Sequence, residues 1–470
     1  MRSSAASDND PSAPSDVFAG DLNRDGRLDL LTSNNAIVAY LNLGHGTFPD
    51  GGARVQTPSG SDNVHVVAAD FNGDGILDFV TQFCSSGGLT LDVQFGNGDG
   101  TFHETRDYDI AFPDPPFVSS CLDALGIITM AGEKLQSIIA STMDQQITIF
   151  RNDGTGFFPQ QQMINGSNGM KYSGVSTGDY NGDGFQDVAA VEIDPDGVTR
   201  RVVIFYQHAD KTFAPPVSIF SSQDGLVFTH TVDLNGDTKG DLLVSFFGGP
   251  SRQAGVVAFT NLGGGSFHST VLTVDPFYTI AGPKPASIHP VGKAAGLRGI
   301  LLPLTQDPTI GGAEPVIALF PAQSTGWGSP IYLGVPGGTG PQAVANGDFN
   351  GDGRPDFAAV DNNNRLLIFL NTTTASTCPY PTGSAVSICS PAAGATLSST
   401  TVPIHASANS GIDVPIDSMV ARIDGTQVAS NDMATLDASV TVKTGTHTLE
   451  IEAVDAEGNH HIRDVNFTVQ

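Results

Sequence analysis

The chain has 470 residues, of which 49 are acidic and 21 are Lys or Arg, for a formal net charge of −28. That balance argues against nucleic acid and anionic lipid as partners, since both demand basic patches, and no apolar run approaches the ~18–20 residues of a membrane helix. With 55 glycines and 29 prolines, the composition favours short strands joined by turns over long amphipathic helices.

Residues 1–15 read as a flexible tail without the apolar segment of a signal peptide, which suggests a trimmed start. From residue 16 onward a nine-residue pattern recurs, Asp-x-Asn-x-Asp-Gly-x-x-Asp. It occurs as Asp21, Asn23, Asp25, Gly26, Asp29; as Asp70, Asn72, Asp74, Gly75, Asp78; and as Asp179, Asn181, Asp183, Gly184, Asp187. Asp233, Asn235, Asp237 and Asp241 repeat it with Thr238 in the glycine position, and Asp348, Asn350, Asp352, Gly353 and Asp356 complete the series. Carboxylates so close repel by roughly 4 kcal/mol per pair at 4 Å and an effective dielectric of about 20. Oxygen donors at alternate positions, with a glycine to turn the chain, are what Ca²⁺ selects. The three Asp and the Asn of each loop are the expected ligands. The carbonyl of the seventh residue (Arg27, Ile76, Phe185, Lys239, Arg354) joins them by analogy with the EF-hand loop. Fifteen of the 49 acidic residues lie in these loops, and five Ca²⁺ ions, ten positive charges, would bring −28 to −18.

An EF-hand shares the start of this pattern but needs a bidentate Glu at position 12 and flanking helices. Position 12 here is Thr32, Thr81, Ala190, Val244 and Ala359, and β-type sequence follows, so an EF-hand is excluded. Simple Asn/Asp/Gly turns do not explain an acidic residue at position nine in all five loops.

Each loop leads into a β-rich run (Asp29-Leu-Leu-Thr-Ser, Asp78-Phe-Val-Thr-Gln, Asp187-Val-Ala-Ala-Val, Asp241-Leu-Leu-Val-Ser, Asp356-Phe-Ala-Ala-Val) and then a second alternating strand. In the first four of these units a turn then delivers a phenylalanine, at Phe48, Phe102, Phe213 and Phe267. Two further units keep the strands without the acids. One spans Ile127 to Phe158; the other places Val291, Lys293, Ala295, Gly296 and Gly299 where the ligands and glycine belong. Repeats three and six are therefore expected to bind no metal. A unit of about four strands recurring every ~50–60 residues signals a propeller, here seven-bladed over residues 16–375, each sheet covering its neighbour.

The repeat resembles the FG-GAP (VCBS-type) family, which builds the integrin α-chain propeller head. It departs in its two acid-free repeats and in lacking a literal Phe-Gly…Gly-Ala-Pro pair in most repeats, Phe95-Gly96 being a partial echo. The resemblance implies Ca²⁺ as structural glue and a role in adhesion or recognition.

A Thr/Ser/Pro-rich linker follows, at 376–384. Seven short strands in about 85 residues then suggest a β-sandwich over 385–470, and Gly445 to Asn459 resembles the end of bacterial Ig-like and fibronectin-III-like modules. An E-set sandwich would read the same way. The expected fold is thus all-β, a seven-bladed propeller followed by an Ig-like sandwich. Four cysteines allow three pairings. Their positions in the repeat and at the linker favour Cys84–Cys121 and Cys378–Cys389, as suits a protein outside the cytoplasm.

No zinc motif and no P-loop occurs. His460 and His461 are adjacent in a strand and point to opposite faces. The chain is expected to be a secreted or surface recognition protein, not an enzyme, binding an extracellular protein or a glycan. A lectin-like or polysaccharide-degrading propeller is the alternative. Metal loops and glycine turns share one face, so recognition is expected on the opposite face of longer connections, with Tyr108, Arg200, Arg201 and Arg252 as contacts.

Overall fold

The structure, a computed structural model, describes residues 5–7, 16–33, 37–49, 51–55, 65–85, 88–110, 122–142, 147–164, 166, 170–235, 237–247, 253–280, 286–288, 299–306, 315–323, 326–335, 340–351, 354–361, 363, 365–371, 378, 381, 385–409, 416–431, 435–455 and 458–470. Among them every regular element is a strand, and the strands form nine sheets.

Seven of these sheets follow one another along the repeats. The first is the antiparallel meander Asp16–Gly20, Asp29–Ser33, Ile37–Tyr40 and Ala53–Val55. The second (Val66–Ala69 to Phe102–Ile110), third (Leu122–Ile128 to Gln160–Ile164), fourth (Lys171–Gly178 to Val217–Ser222) and fifth (Gly225–Val232 to Ser266–Thr273) repeat this order. In the sixth, the first strand is split into Tyr278–Ile280 and Ala286–Ile288, and the last into Gly326–Trp327 and Ile331–Gly334. The seventh runs Pro341–Gly347, Asp356–Asp361, Arg365–Phe369, and its fourth strand comes from the start of the chain. Ala5–Ser7 pair antiparallel with Arg365, Leu366 and Leu367. The expected flexible tail 1–15 therefore carries a strand. Three residues of low hydrophobicity give no alternation to read, and only the unpaired edge of the last sheet makes them β.

The middle strands are buried on both faces; Asp29–Ser33 and Ile37–Tyr40 are buried throughout. A strand covered on both sides reads as an apolar run rather than an alternation. Each interface between successive sheets is one apolar cluster. Leu31 and Ala39 meet Val66 and Phe79 between the first two sheets, and Val191 and Ile204 meet Leu242 and Phe259 between the fourth and fifth. The first and seventh sheets share a cluster as well, with Val17, Leu30 and Val38 against Ala345, Ala358 and Ile368.

Two sheets of the C-terminal module face each other. Ala385–Ser390, Thr401–Asn409 and Thr435–Thr441 form one. Thr396–Leu397, His460–Val469, Gly445–Asp455, Ile416–Ile423 and Thr426–Asn431 form the other. All seven strand runs expected there are present, and Thr396–Leu397 adds an eighth, parallel to the last strand. The sandwich core (Ile404, Met419, Leu449, Phe467) is continuous with the apolar cluster between the sixth and seventh sheets.

Cys378 and Cys389 form the expected disulfide, with Cα atoms 5.3 Å apart. Cys84 lies in the strand Asp78–Ser85 opposite Leu89; its side chain and all of Cys121 are outside the described residues, as is the acid-free stretch 289–298 of the sixth repeat. Closing so short a loop is worth about 3 kcal/mol in the chain-entropy account. Replacing both Cys378 and Cys389 by Ala should lower the unfolding free energy of the C-terminal module by about that amount and leave the melting of the repeats unchanged, as calorimetry would resolve.

Candidate metal centres

Each acidic loop joins the first strand of its sheet to the second. Its first aspartate folds the loop around itself. Asp21 Oδ1 and Oδ2 accept the N–H groups of Asp25 (3.1 Å) and Gly26 (2.9 Å). Asp70 and Asp179 do the same for Asp74 with Gly75 and for Asp183 with Gly184. Asn23, Asn72 and Asn181 accept from the fifth residue and donate to its carboxylate. The turn needs a left-handed backbone at position six, with φ of 81°, 79° and 87° at Gly26, Gly75 and Gly184. Thr238 takes the same conformation at φ 69°, where a β-branched side chain is strained. In the fifth acidic loop Asp348 Oδ1 accepts the N–H of Gly351, while Asp352 and Gly353 are outside the described residues.

The ninth-position aspartates are set apart. Asp29, Asp78, Asp187, Asp241 and Asp356 are fully buried. One oxygen of each accepts the N–H of the loop's second residue (Leu22, Phe71, Tyr180, Leu234, Phe349) at 2.7–3.0 Å. The other accepts an N–H at or just past the end of the third strand (Asn42, Gly96, Gln207, Asn261, Asn371) at 2.6–3.0 Å. These carboxylates staple the loop to its own sheet. A carboxylate oxygen has two lone pairs, so one backbone bond does not exhaust its capacity to bind a cation; at Asp356, Oδ2 also accepts the N–H of Asn350 at 3.3 Å.

Burial, reinforced by the neighbouring carboxylates, pushes Asp78 and Asp187 up to about 6 against the opposing backbone N–H bonds, and raises Asp29 and Asp241 for the same reasons. A donor set made wholly of oxygens around a buried carboxylate calls for either a proton or a hard cation. Among the described residues no group of three or more His, Cys, Asp or Glu side chains stands ready to hold an ion; each loop draws on an amide as well. Asp25 and Asp237 also carry their own counter-ions, Arg27 and Lys239.

The third repeat supplies an internal comparison. Ser137 replaces the ninth aspartate, and its Oγ accepts the N–H of Asn152 at 3.0 Å. Glu133 stands in the fifth position, where it takes ion pairs from Arg151 and, at 2.7 Å, from Lys211 of the fourth sheet. Burial works to raise this carboxyl, yet the two cations hold it below its ordinary range. Here two protein cations neutralise the loop's one acid, whereas each acidic loop carries three carboxylates and an amide, a donor set that fits Ca²⁺.

The loops also touch their neighbours through residues that sequence reasoning missed. The second loop residue packs under the phenylalanine of the next sheet: Phe71 under Phe158 (5.6 Å), Tyr180 under Phe267 (6.0 Å) and Phe349 under Phe48 (6.0 Å), all edge-on. Its carbonyl accepts a side-chain amide from that sheet, Asn152 to Phe71, Asn261 to Tyr180 and Asn42 to Phe349. The readable signal is Asn-x-Gly thirteen or more residues after the last aspartate, because the same amide oxygen caps the turn glycine.

The opposite face is less as expected. Arg200 and Arg201 are strand residues, paired in register with Ile193 and Glu192, rather than loop residues. Arg201 is held by Asp194 and by Glu192 at 3.2 Å, and Arg200 donates to the carbonyl of Leu226 at 2.6 Å. Tyr108 pairs with Leu91 through its backbone; its side chain, and Arg252 entirely, are outside the described residues. His460 and His461 do diverge, to Glu452 and to Asp455.

The chain is thus an all-β protein of repeated sheets carrying acidic loops, followed by a β-sandwich. The FG-GAP-like repeat family matches residues 21–81 and 136–190, and the bacterial Ig domain family matches 385–451. The chain carries FG-GAP-like repeats and a C-terminal bacterial Ig domain. No curated protein sequence matches it. Similar solved structures include an Agrocybe aegerita lectin that recognises non-reducing terminal N-acetylglucosamine (16% identity, 69% of this chain, 80% of that one, TM-score 0.46). Rhamnogalacturonan lyase YesW is another (15% identity, 80% of this chain, 75% of that one, TM-score 0.39). At these TM-scores neither bears on what this chain binds.

Two outcomes follow from the loop geometry. Thr238→Gly should relieve the left-handed strain and raise stability by about 1 kcal/mol in urea unfolding. The second concerns pH. A carboxyl raised to about 6 when folded holds more protons than the unfolded chain between about pH 4 and 6. Its penalty is therefore absent below about 4 and fully present above about 6. In EDTA, the stability of the wild type relative to Asp78→Asn should fall as pH rises through that window; excess Ca²⁺ should remove the fall.

Proposed function

We propose that this chain is a Ca²⁺-stabilised recognition protein working outside the cell, in which a closed seven-bladed β-propeller binds a protein or glycan and an Ig-like module follows. One observation carries the reading. Each sheet shares an apolar cluster with the next, the first with the seventh included, while the acidic loops all occupy the same strand connection. Sheets arranged in that order make a ring whose acidic loops lie on one rim.

Asp21, Asn23, Asp25 and Asp29, and their counterparts in the other four loops, would hold the ions. Bound Ca²⁺ supplies positive charge to carboxylates that the fold crowds together. The chain's own contribution is the staple of the ninth aspartate, which ties the loop's second residue to its own sheet. Recognition belongs to the opposite rim, and its role is binding rather than catalysis. The ion pairs of Arg201 make it a support of that rim, which leaves Tyr108, Arg200 and Arg252 as the candidate contacts. Disulfide bonding at Cys378–Cys389 suits an oxidising location. Among the described residues no helix is long and apolar enough to cross a membrane.

At ten times Kd, one Ca²⁺ adds about 1.4 kcal/mol and five add about 7, comparable with the ~5–15 kcal/mol net stability of a domain. Chelation should lower the melting temperature markedly, and titration should count five ions; no uptake, or a melting curve indifferent to EDTA, overturns the metal assignment. Glycan and matrix-protein arrays probed with and without Ca²⁺ test recognition. Binding that survives alanine at Tyr108, Arg200 and Arg252 but disappears with residues 385–470 would transfer that role to the Ig-like module.

A further inference from the structure

We infer that Ca²⁺ binding is cooperative within two pairs of neighbouring loops, 348–356 with 21–29 and 179–187 with 233–241, while the loop 70–78 fills independently. The inference rests on the Ca²⁺ reading above and concerns how its sites are regulated.

Between the seventh and first sheets, four groups form an unbroken chain of hydrogen bonds. Phe349 N–H donates to Asp356 Oδ2 at 2.9 Å, and the Phe349 carbonyl accepts from Asn42 Nδ2 at 2.8 Å. Asn42 N–H then donates to Asp29 Oδ1 at 2.8 Å. Arg27, in the first loop, closes back on the Asn42 carbonyl through Nε at 2.8 Å. One buried residue, 1% exposed, thus touches both loops. The fourth and fifth sheets repeat the arrangement. Tyr180 N–H donates to Asp187 Oδ2 at 3.0 Å, Asn261 Nδ2 to the Tyr180 carbonyl at 3.1 Å, and Asn261 N–H to Asp241 Oδ1 at 2.6 Å.

Among the described residues the loop 70–78 has no such amide link to another acidic loop. Its carbonyl at Phe71 accepts from Asn152, but Asn152 leads to Ser137 in the third repeat, which lacks the aspartate pattern. On its other side, the position equivalent to Asn42 is Gly96, which has the N–H for Asp78 but no amide for Leu22. A side chain does not fit there, since a Cβ would lie 2.4 Å from the Leu77 carbonyl.

Filling one loop of a pair fixes its second peptide, and with it the side-chain amide of Asn42 or Asn261, residues whose backbone N–H anchors the partner loop's aspartate. The second ion then meets a loop already ordered in part, which is positive coupling through shared ordering. By reciprocity each loop gains as much as it gives. Typical couplings correspond to about 5- to 150-fold in affinity.

The test uses the full chain labelled with ¹⁵N-glycine. Gly26 and Gly75 each donate to the first aspartate of their own loop, so their amide shifts report the two loops separately during a Ca²⁺ titration. Asp348→Ala should raise the Ca²⁺ midpoint at Gly26 at least about fivefold and leave Gly75 in place. Asn42→Gly, which copies the residue the second sheet already has at that register, should abolish the response of Gly26 to Asp348→Ala. If Asp348→Ala leaves Gly26 unchanged, shifts Gly75 equally, or acts undiminished in the Asn42→Gly background, the coupling is refuted. Wild-type glycines that ignore Ca²⁺ altogether would refute the metal reading itself, a separate failure.

Discussion

A carboxylate buried at the start of a strand is the constraint on which the rest of each acidic repeat depends. Asp29, Asp78, Asp187, Asp241 and Asp356 lie where the first connection ends and where the third strand finishes alongside. Satisfying both oxygens with backbone N–H groups fixes the loop's second residue and the end of the third strand at once. The second residue, pinned by its N–H, must then point its side chain and carbonyl outward from its own sheet. The neighbouring sheet meets both, the side chain with a phenylalanine and the carbonyl with an amide. A local polar contact therefore sets how sheets stack, which apolar burial alone leaves loosely specified because it has no direction.

The third repeat separates the two duties that a single aspartate combines. Ser137 keeps the staple to Asn152, so the register of the third strand survives without a charge. Glu133 keeps one acid, and Arg151 and Lys211 neutralise it from the same and the next sheet. Removing the acids thus alters the electrostatics of the rim and leaves the architecture intact. Lys211 also crosses a sheet boundary, so the loop without a metal pattern is still tied to its neighbour.

The strands, the repeats and the acidic loops were legible in the sequence because each depends on local spacing: alternation, the nine-residue pattern, and the phenylalanine after each turn. What escaped depends on partners far away in the chain. Asn42 looks like an ordinary turn residue until Phe349, 307 positions later, is placed beside it. Ala5–Ser7 become a strand only through the free edge of Arg365–Phe369. Arg200 and Arg201 were read as loop residues because Asp-Pro-Asp-Gly marks a turn without marking where it ends; the turn closes at the Asp194–Thr199 hydrogen bond, one residue before the strand.

Candidate ion ligands and residues that hold the fold are therefore interleaved rather than separate. The first, third and fifth loop positions are surface groups that bond within their own loop, so a substitution there leaves the staple of the ninth aspartate in place. The ninth position is a core residue with a charge. Its loss leaves two buried N–H groups without their acceptor, at roughly 1–3 kcal/mol each, in addition to any metal affinity. The same nine-residue pattern thus contains two classes of aspartate, distinguished by burial and by the bond of the ninth position to the third strand's end.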